Sequence, residues 1–209
     1  MDKFPIDVLQ HCIFTQLDFL SQIRFRQVYI RFHRLEIHDF LNIDRKYLDR
    51  LTDDILVSYP FIRFLKIAWN YKITDNGIKH MQLHTLDVRW NNNITDEGIR
   101  HMHLHTLLAT WNRKITDQGI KHMKMHTLMA DGSAITDEGI KYMNLHTLSA
   151  SNAMTDEGIK HLQLTTLHAQ TGSKITDNGV KHMKLQKLNE YDNPDFKYEN
   201  IYLKNKKLP

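Results

Sequence analysis

Histidine is the residue in this sequence best placed to do chemistry, and it comes in columns. His84, His105, His126 and His146 recur at intervals of about twenty residues, and so do His80, His101, His122, His161 and His182, with Tyr142 interrupting the second series. Imidazole titrates near neutral pH, moves protons and is the commonest metal ligand, so histidines one repeat apart could share a metal ion. Two features argue against it. No Cys or carboxylate joins either column to complete a site, and a repeat copied by duplication carries any tolerated histidine with it. Elsewhere the sequence offers no nucleophile–base pair and no Gly-rich phosphate loop. Neither an enzyme nor a cofactor is expected.

Charge follows the same period. Lys79, Arg100, Lys121, Lys141, Lys160 and Lys181 form a basic stripe, each four residues after Asp75, Asp96, Asp117, Asp137, Asp156 and Asp177. Acid before base by four is the favourable helical pairing, so a solvated stripe with its own counter-charges is expected. No aromatic residues interleave the lysines as single-strand binders require, and the net charge of +4 is mild; nucleic acid is not an expected partner.

The elements that must position these columns are repeats. ITDNGIKHMQLHTLDV at 73–88 returns, with variation, from residues 94, 115, 135, 154 and 175. Such a period means stacked supersecondary units. In each, Thr-Asp before Gly-Ile marks a helix start, since either side chain can accept from the free amides that follow. Ile78 and Met81 then point inward over about two turns. Leu83, Leu86, Val88 and Asn91 spell LxxLxLxxN, the alternation of a strand with one buried face. An earlier copy runs from Leu51-Thr52-Asp53 to Ile62, Leu65, Ile67 and Asn70, and a further strand at Leu41–Ile43 is expected to start the stack. The copies beginning at 115 and 135 are short and should disturb the ladder locally. The single cysteine, Cys12, suits a reducing compartment. No apolar run is long enough to span a membrane and the N-terminus does not read as a signal peptide, so a cytoplasmic location is expected.

This pattern resembles the leucine-rich repeat, and its ITD-x-GI opening resembles the subtype common in F-box proteins. The resemblance implies an α/β leucine-rich-repeat solenoid with a parallel sheet on its concave face. Asn70, Asn91 and Asn112 would hydrogen-bond the turning backbone, with Ser133 and Gly172 in their place later in the chain. Trp69, Trp90 and Trp111 would stack to cover the rim of the sheet. Thr85, Thr106, Thr127, Thr147 and Thr166 form a nearly uniform concave column. The next two columns differ in every repeat: Lys66, Asp87, Leu108, Met129, Ser149 and His168, then Ala68, Arg89, Thr110, Asp131, Ser151 and Gln170. A partner is expected there.

Residues 4–35 carry no copy of the repeat and read as short helices. Phe4-Pro5, Val8, Leu9, Ile13 and Leu17, with Val28 and Phe32 closing the segment, resemble an F-box. That resemblance implies docking on a Skp-type linker, with a protein target held on the concave face, as in the substrate-recognising adaptor of a cullin-type ubiquitin ligase. An open solenoid must also cover its first repeat. The alternative to the adaptor is therefore that residues 1–40 are only a helical F-box-like cap on a structural or scaffolding repeat protein. The expected organisation is a 1–40 F-box-like segment, repeats over 41–193 and a C-terminal cap at 194–209, monomeric outside the complex. Short, near-identical repeats joined to an F-box also resemble proteins of large DNA viruses of amoebae, which would place the chain in host cytoplasm.

Overall fold

The computed structural model of this chain describes residues 39–40, 48, 51–60, 62–169 and 172–189. Within them, each repeat contributes one short helix and one short strand. The strands are β1 (Asp39–Phe40), β2 (Phe64–Lys66), β3 (Thr85–Asp87), β4 (Thr106–Leu108), β5 (Thr127–Met129), β6 (Thr147–Ser149), β7 (Thr166–His168) and β8 (Lys187–Asn189). The helices are α1 (Asp53–Val57), α2 (Asp75–Ile78), α3 (Asp96–Ile99), α4 (Asp117–Ile120), α5 (Asp137–Ile140), α6 (Asp156–Ile159) and α7 (Asp177–Val180). All strands lie in one parallel sheet in chain order. The first strand described is Asp39–Phe40; the starting strand expected at Leu41–Ile43 lies outside the described residues. The F-box-like residues Phe4, Pro5, Val8, Leu9, Ile13 and Leu17, and the C-terminal segment from 190, also lie outside them.

The leucines set the register. Leu65, Leu86, Leu107, Leu128, Leu148, Leu167 and Leu188 pair strand to strand, and all but the partly buried Leu188 are fully covered. Ile78 and Met81, from the helical side of one unit, are likewise fully buried. One continuous apolar core therefore runs the length of the array between helices and sheet. Each helix from α2 onward is one turn, not two. A single turn is far below the length at which a helix persists alone, so tertiary contacts must hold it.

Those contacts are built by the ITD-x-G motif, and they correct the expected ion pairing. Asp75 does not serve Lys79. Its Oδ1 accepts from the backbone N–H of Thr95 at 2.8 Å, and its Oδ2 from the Thr95 hydroxyl at 2.6 Å. Thr95 in turn caps α3, its Oγ1 accepting from the N–H of Glu97. The same clamp joins Asp53 to Thr74, Asp96 to Thr116, Asp117 to Thr136, Asp137 to Thr155 and Asp156 to Thr176. The cations of the stripe find partners three residues back instead: Arg100 on Glu97, Lys141 on Glu138 and Lys160 on Glu157. Lys79 and Lys121 donate to Asn76 and Gln118.

Asparagine closes the other end of each unit. Asn70 Nδ2 donates to the carbonyls of Leu48 and Leu51, while its Oδ1 accepts from the N–H groups of Lys72 and Ile73. Asn91 and Asn112 repeat this, each donating to the carbonyl of the asparagine before it. In the later copies Ser133, Ser151 and Ser173 take over, each accepting from a backbone N–H two residues on. The expected substitute Gly172 is not in that column; Ser173 is buried there and Gly172 takes the left-handed turn, with φ 85°. The shortening does not break the sheet, because β5, β6 and β7 stay in register. The missing residues are removed from the turns.

Candidate protein-interaction face

Opposite the core, the sheet presents the face that the sequence marks as concave. Side chains alternate along each strand, so Leu86 and Val88 point in while Thr85, Asp87 and Arg89 point out. The threonines pair directly: Thr85 with Thr106, Thr106 with Thr127, Thr127 with Thr147 and Thr147 with Thr166. The first divergent column is equally well formed, with Lys66 beside Asp87, Asp87 beside Leu108, Leu108 beside Met129, Met129 beside Ser149 and Ser149 beside His168.

Burial separates members of these columns that the sequence cannot. Lys66, Arg89, Leu108, Thr110, Met129, Asp131 and His168 are partly exposed. Asp87 and Ser149 are covered, at 1% and 2% exposure, and offer a partner little. Ser151 is a correction of another kind. In its shortened unit it sits inside the turn and donates its hydroxyl to the Ile135 carbonyl. Gln170 lies outside the described residues.

Asp87 is covered because Arg89 lies over it. The guanidinium donates from Nε to Oδ1 at 2.9 Å and from Nη2 to Oδ2 at 2.8 Å, a two-pronged pair that holds orientation as well as charge. Its hydrogen bond to Asp87 raises the Arg89 pKa against the opposing effect of burial. The two residues therefore act as one unit, not as separate charges flanking the centre. Asp131 has no such cover: partial burial raises its carboxyl pKa.

The tryptophans edge this face. Trp69 and Trp90 stack with ring centroids 4.7 Å apart, Trp90 and Trp111 at 5.0 Å. All three have left-handed backbone, with φ 65°, 61° and 59°, an unfavourable state for a bulky L-residue. Their N–H groups donate to the carbonyls of Arg89, Thr110 and Asp131 on the next strand, which fixes the turn. Gly132, φ 64°, ends the series against the face of Trp111. Nothing in the sequence signals this conformation except that Gly follows three Trp in the column. Arg113 lies 5.5 Å above the Trp111 ring.

On the opposite rim, His84, His105, His126 and His146 also stack, at 4.8, 5.0 and 4.2 Å. Rings piled face to face direct their nitrogens side by side rather than toward one point. Among the described residues no group of three His, Cys, Asp or Glu is placed to hold a metal ion. Partial desolvation, then His146 and His105, lower the pKa of His126. Desolvation, then Lys187, lower that of His168.

A leucine-rich-repeat family model matches residues 79–101. That span runs from just after α2 through β3 to just past α3 and holds Thr95, which binds the Asp75 carboxylate of the unit before, and Asp96, which binds Thr116 of the unit after. The repeated helix–strand units on one parallel sheet fit a leucine-rich-repeat solenoid, an architecture suited to protein interaction. No curated protein matches the chain. Among the described residues no helix is long and apolar enough to cross a membrane.

Proposed function

We propose that this chain is a protein-interaction module that holds a protein segment on the open face of its sheet, and that its N-terminal segment docks on a Skp-type linker. It would then present a target to a cullin-type ubiquitin ligase. The observation that carries the binding half is the contrast within one sheet. Clamp and leucine columns repeat almost unchanged, while the open columns vary from Lys66 to His168. Leu108 and Met129 stand side by side at their centre, partly exposed on a sheet otherwise lined with threonine and charge. Clustered apolar side chains within a polar rim are the usual anchor of a protein interface. The docking half is supported by the resemblance of Phe4, Pro5, Val8, Leu9, Ile13 and Leu17 to an F-box.

Two variants test the halves separately. Pro5→Ala with Leu9→Ala is expected to abolish co-purification of the Skp-type linker while the repeat array still melts as in the parent. Leu108→Asp with Met129→Asp is expected to abolish target capture and leave linker binding intact. Unchanged linker binding in the first variant would refute the adaptor role and leave the scaffold reading. Unchanged capture in the second would remove the open face as the binding surface.

A further inference from the structure

The open face is polarised along the array. At the β2–β3 end, Lys66, Ala68, Trp69, Arg89, Trp90 and Thr110 surround a recess of about 370 Å³. Ala68 makes the floor, in the column where later repeats carry Arg89, Thr110 and Asp131. The exposed tryptophans Trp69 and Trp90 make one wall. Asp87 is held by Arg89, so its negative charge is compensated within the face. Among the described residues, Lys66 makes no ion pair, and the local balance in this recess is positive. Leu108 and Met129 follow on β4 and β5. Beyond them, Asp131 carries a partly desolvated carboxylate with no side-chain partner among the described residues.

Resting on the reading of this face as a protein-binding surface, we infer that its ligand is an extended acidic-then-apolar peptide segment: an acidic residue enters the Lys66–Arg89 recess, an apolar residue about three to four positions later covers Leu108 and Met129, and a basic residue beside it meets Asp131. The spacing follows from the sheet. Lys66 and Met129 are three strands apart, about 14 Å at the usual strand separation, which an extended chain covers in roughly four residues. The Lys66 ammonium and the outer edge of the Arg89 guanidinium donate to the carboxylate. The tryptophan wall takes the apolar stem and its flanking residue. A partner charged in the opposite order would place its acid on Asp131 and its base on Lys66, so the arrangement also sets direction.

Selection of a random peptide display library on the full chain tests this. Enrichment of an acidic residue ahead of an apolar one, lost in selection on Lys66→Glu, is the expected result. Synthetic peptides from that set should bind Lys66→Glu about tenfold more weakly than the parent, read by the change in tryptophan fluorescence. Their counterparts with Lys in place of the acid should regain affinity for Lys66→Glu. A thermal melt of Lys66→Glu matching the parent would exclude loss of folding as the cause. Enriched peptides that lack the acid, yet still depend on Leu108 and Met129, would overturn this inference and leave the interaction module standing. Enriched peptides indifferent to Leu108→Asp with Met129→Asp, or no enrichment, would overturn both.

Discussion

Asp75 Oδ1 lies 2.3 Å from the point where a Cβ on Gly98 would stand. The glycine of one repeat is therefore the space occupied by the carboxylate of the repeat before it, and the Thr of the same motif is what that carboxylate binds. In a free helix, Gly98→Ala would gain about 1 kcal/mol. Here the added methyl displaces a carboxylate whose two hydrogen bonds are each worth about 1.5–3 kcal/mol. The expected outcome is a net loss of about 2 kcal/mol in urea unfolding. Asp75→Ala removes the obstacle, so Gly98→Ala added to it should cost nothing further. Additive losses in the double variant would show that the glycine serves some other purpose.

The Asp87–Arg89 pair makes a second case in which one side chain depends on the other. Asp87 retains 2% of its side-chain exposure and Arg89 42%. An exposed arginine usually contributes little, but removing this one leaves a covered carboxylate without its partner. Arg89→Ala should cost about 2 kcal/mol in the same unfolding assay. The neighbouring strand carries Leu108 and Thr110 at the equivalent positions. Asp87→Leu with Arg89→Thr should therefore be close to neutral. A double variant as unstable as Arg89→Ala would mean that the pair itself, and not an orphaned charge, supplies the stability.

Much of this architecture is legible in the sequence, for a physical reason. A repeat turns each position into a column, and the period-two alternation of Leu86 and Val88 assigns the columns to faces. The strands from β2 to β8 and the buried leucines follow directly. The clamp is less legible. Thr74-Asp75 and Lys79 satisfy the rules of a single helix, capping and acid–base spacing, and those rules are local. The partner that captures Asp75 is Thr95, one repeat onward, so the local pairing loses to a contact made only on stacking. Burial on the open face fails for a similar reason: Asp87 and Ser149 share a column with Leu108 and Met129 but are covered by their surroundings. The serine substitution in the turns is hidden because the turns differ in length, so that the column falls earlier in the shortened copy at Ser151 and later in the full-length copy at Ser173.

The tryptophan column allows a test of strain against stacking. Trp90 sits between two rings at 4.7 and 5.0 Å, in left-handed backbone at φ 61°. Each stacking contact is worth about 0.5–1.5 kcal/mol beyond burial. Left-handed backbone costs a residue with a Cβ about 1–2 kcal/mol. Trp90→Ala loses the stack and keeps the strain, whereas Trp90→Gly loses both. Both variants should be less stable than the parent, with Trp90→Gly the more stable of the two by about 1 kcal/mol in chemical unfolding. The reverse order would show that the backbone relaxes once the ring is gone.

Acid should weaken this protein through His126. Its folded-state pKa is lowered, first by desolvation and then by His146 and His105, whose rings lie at 4.2 and 5.0 Å. The fold thus favours neutral imidazole, while the unfolded chain takes up its proton near the ordinary value of about 6.5. Between the two values the unfolded state binds more protons. Stability from this group is fully present above the unfolded pKa, declines as pH falls through it, and levels off below the folded value. His168, lowered by desolvation and by Lys187, contributes with the same sign. Thermal melts at about pH 7.5 and about pH 5.5 should differ less for His126→Gln than for the parent, and less again with His168→Gln added. An unchanged difference in the double variant would assign the acid sensitivity to groups outside these two histidines.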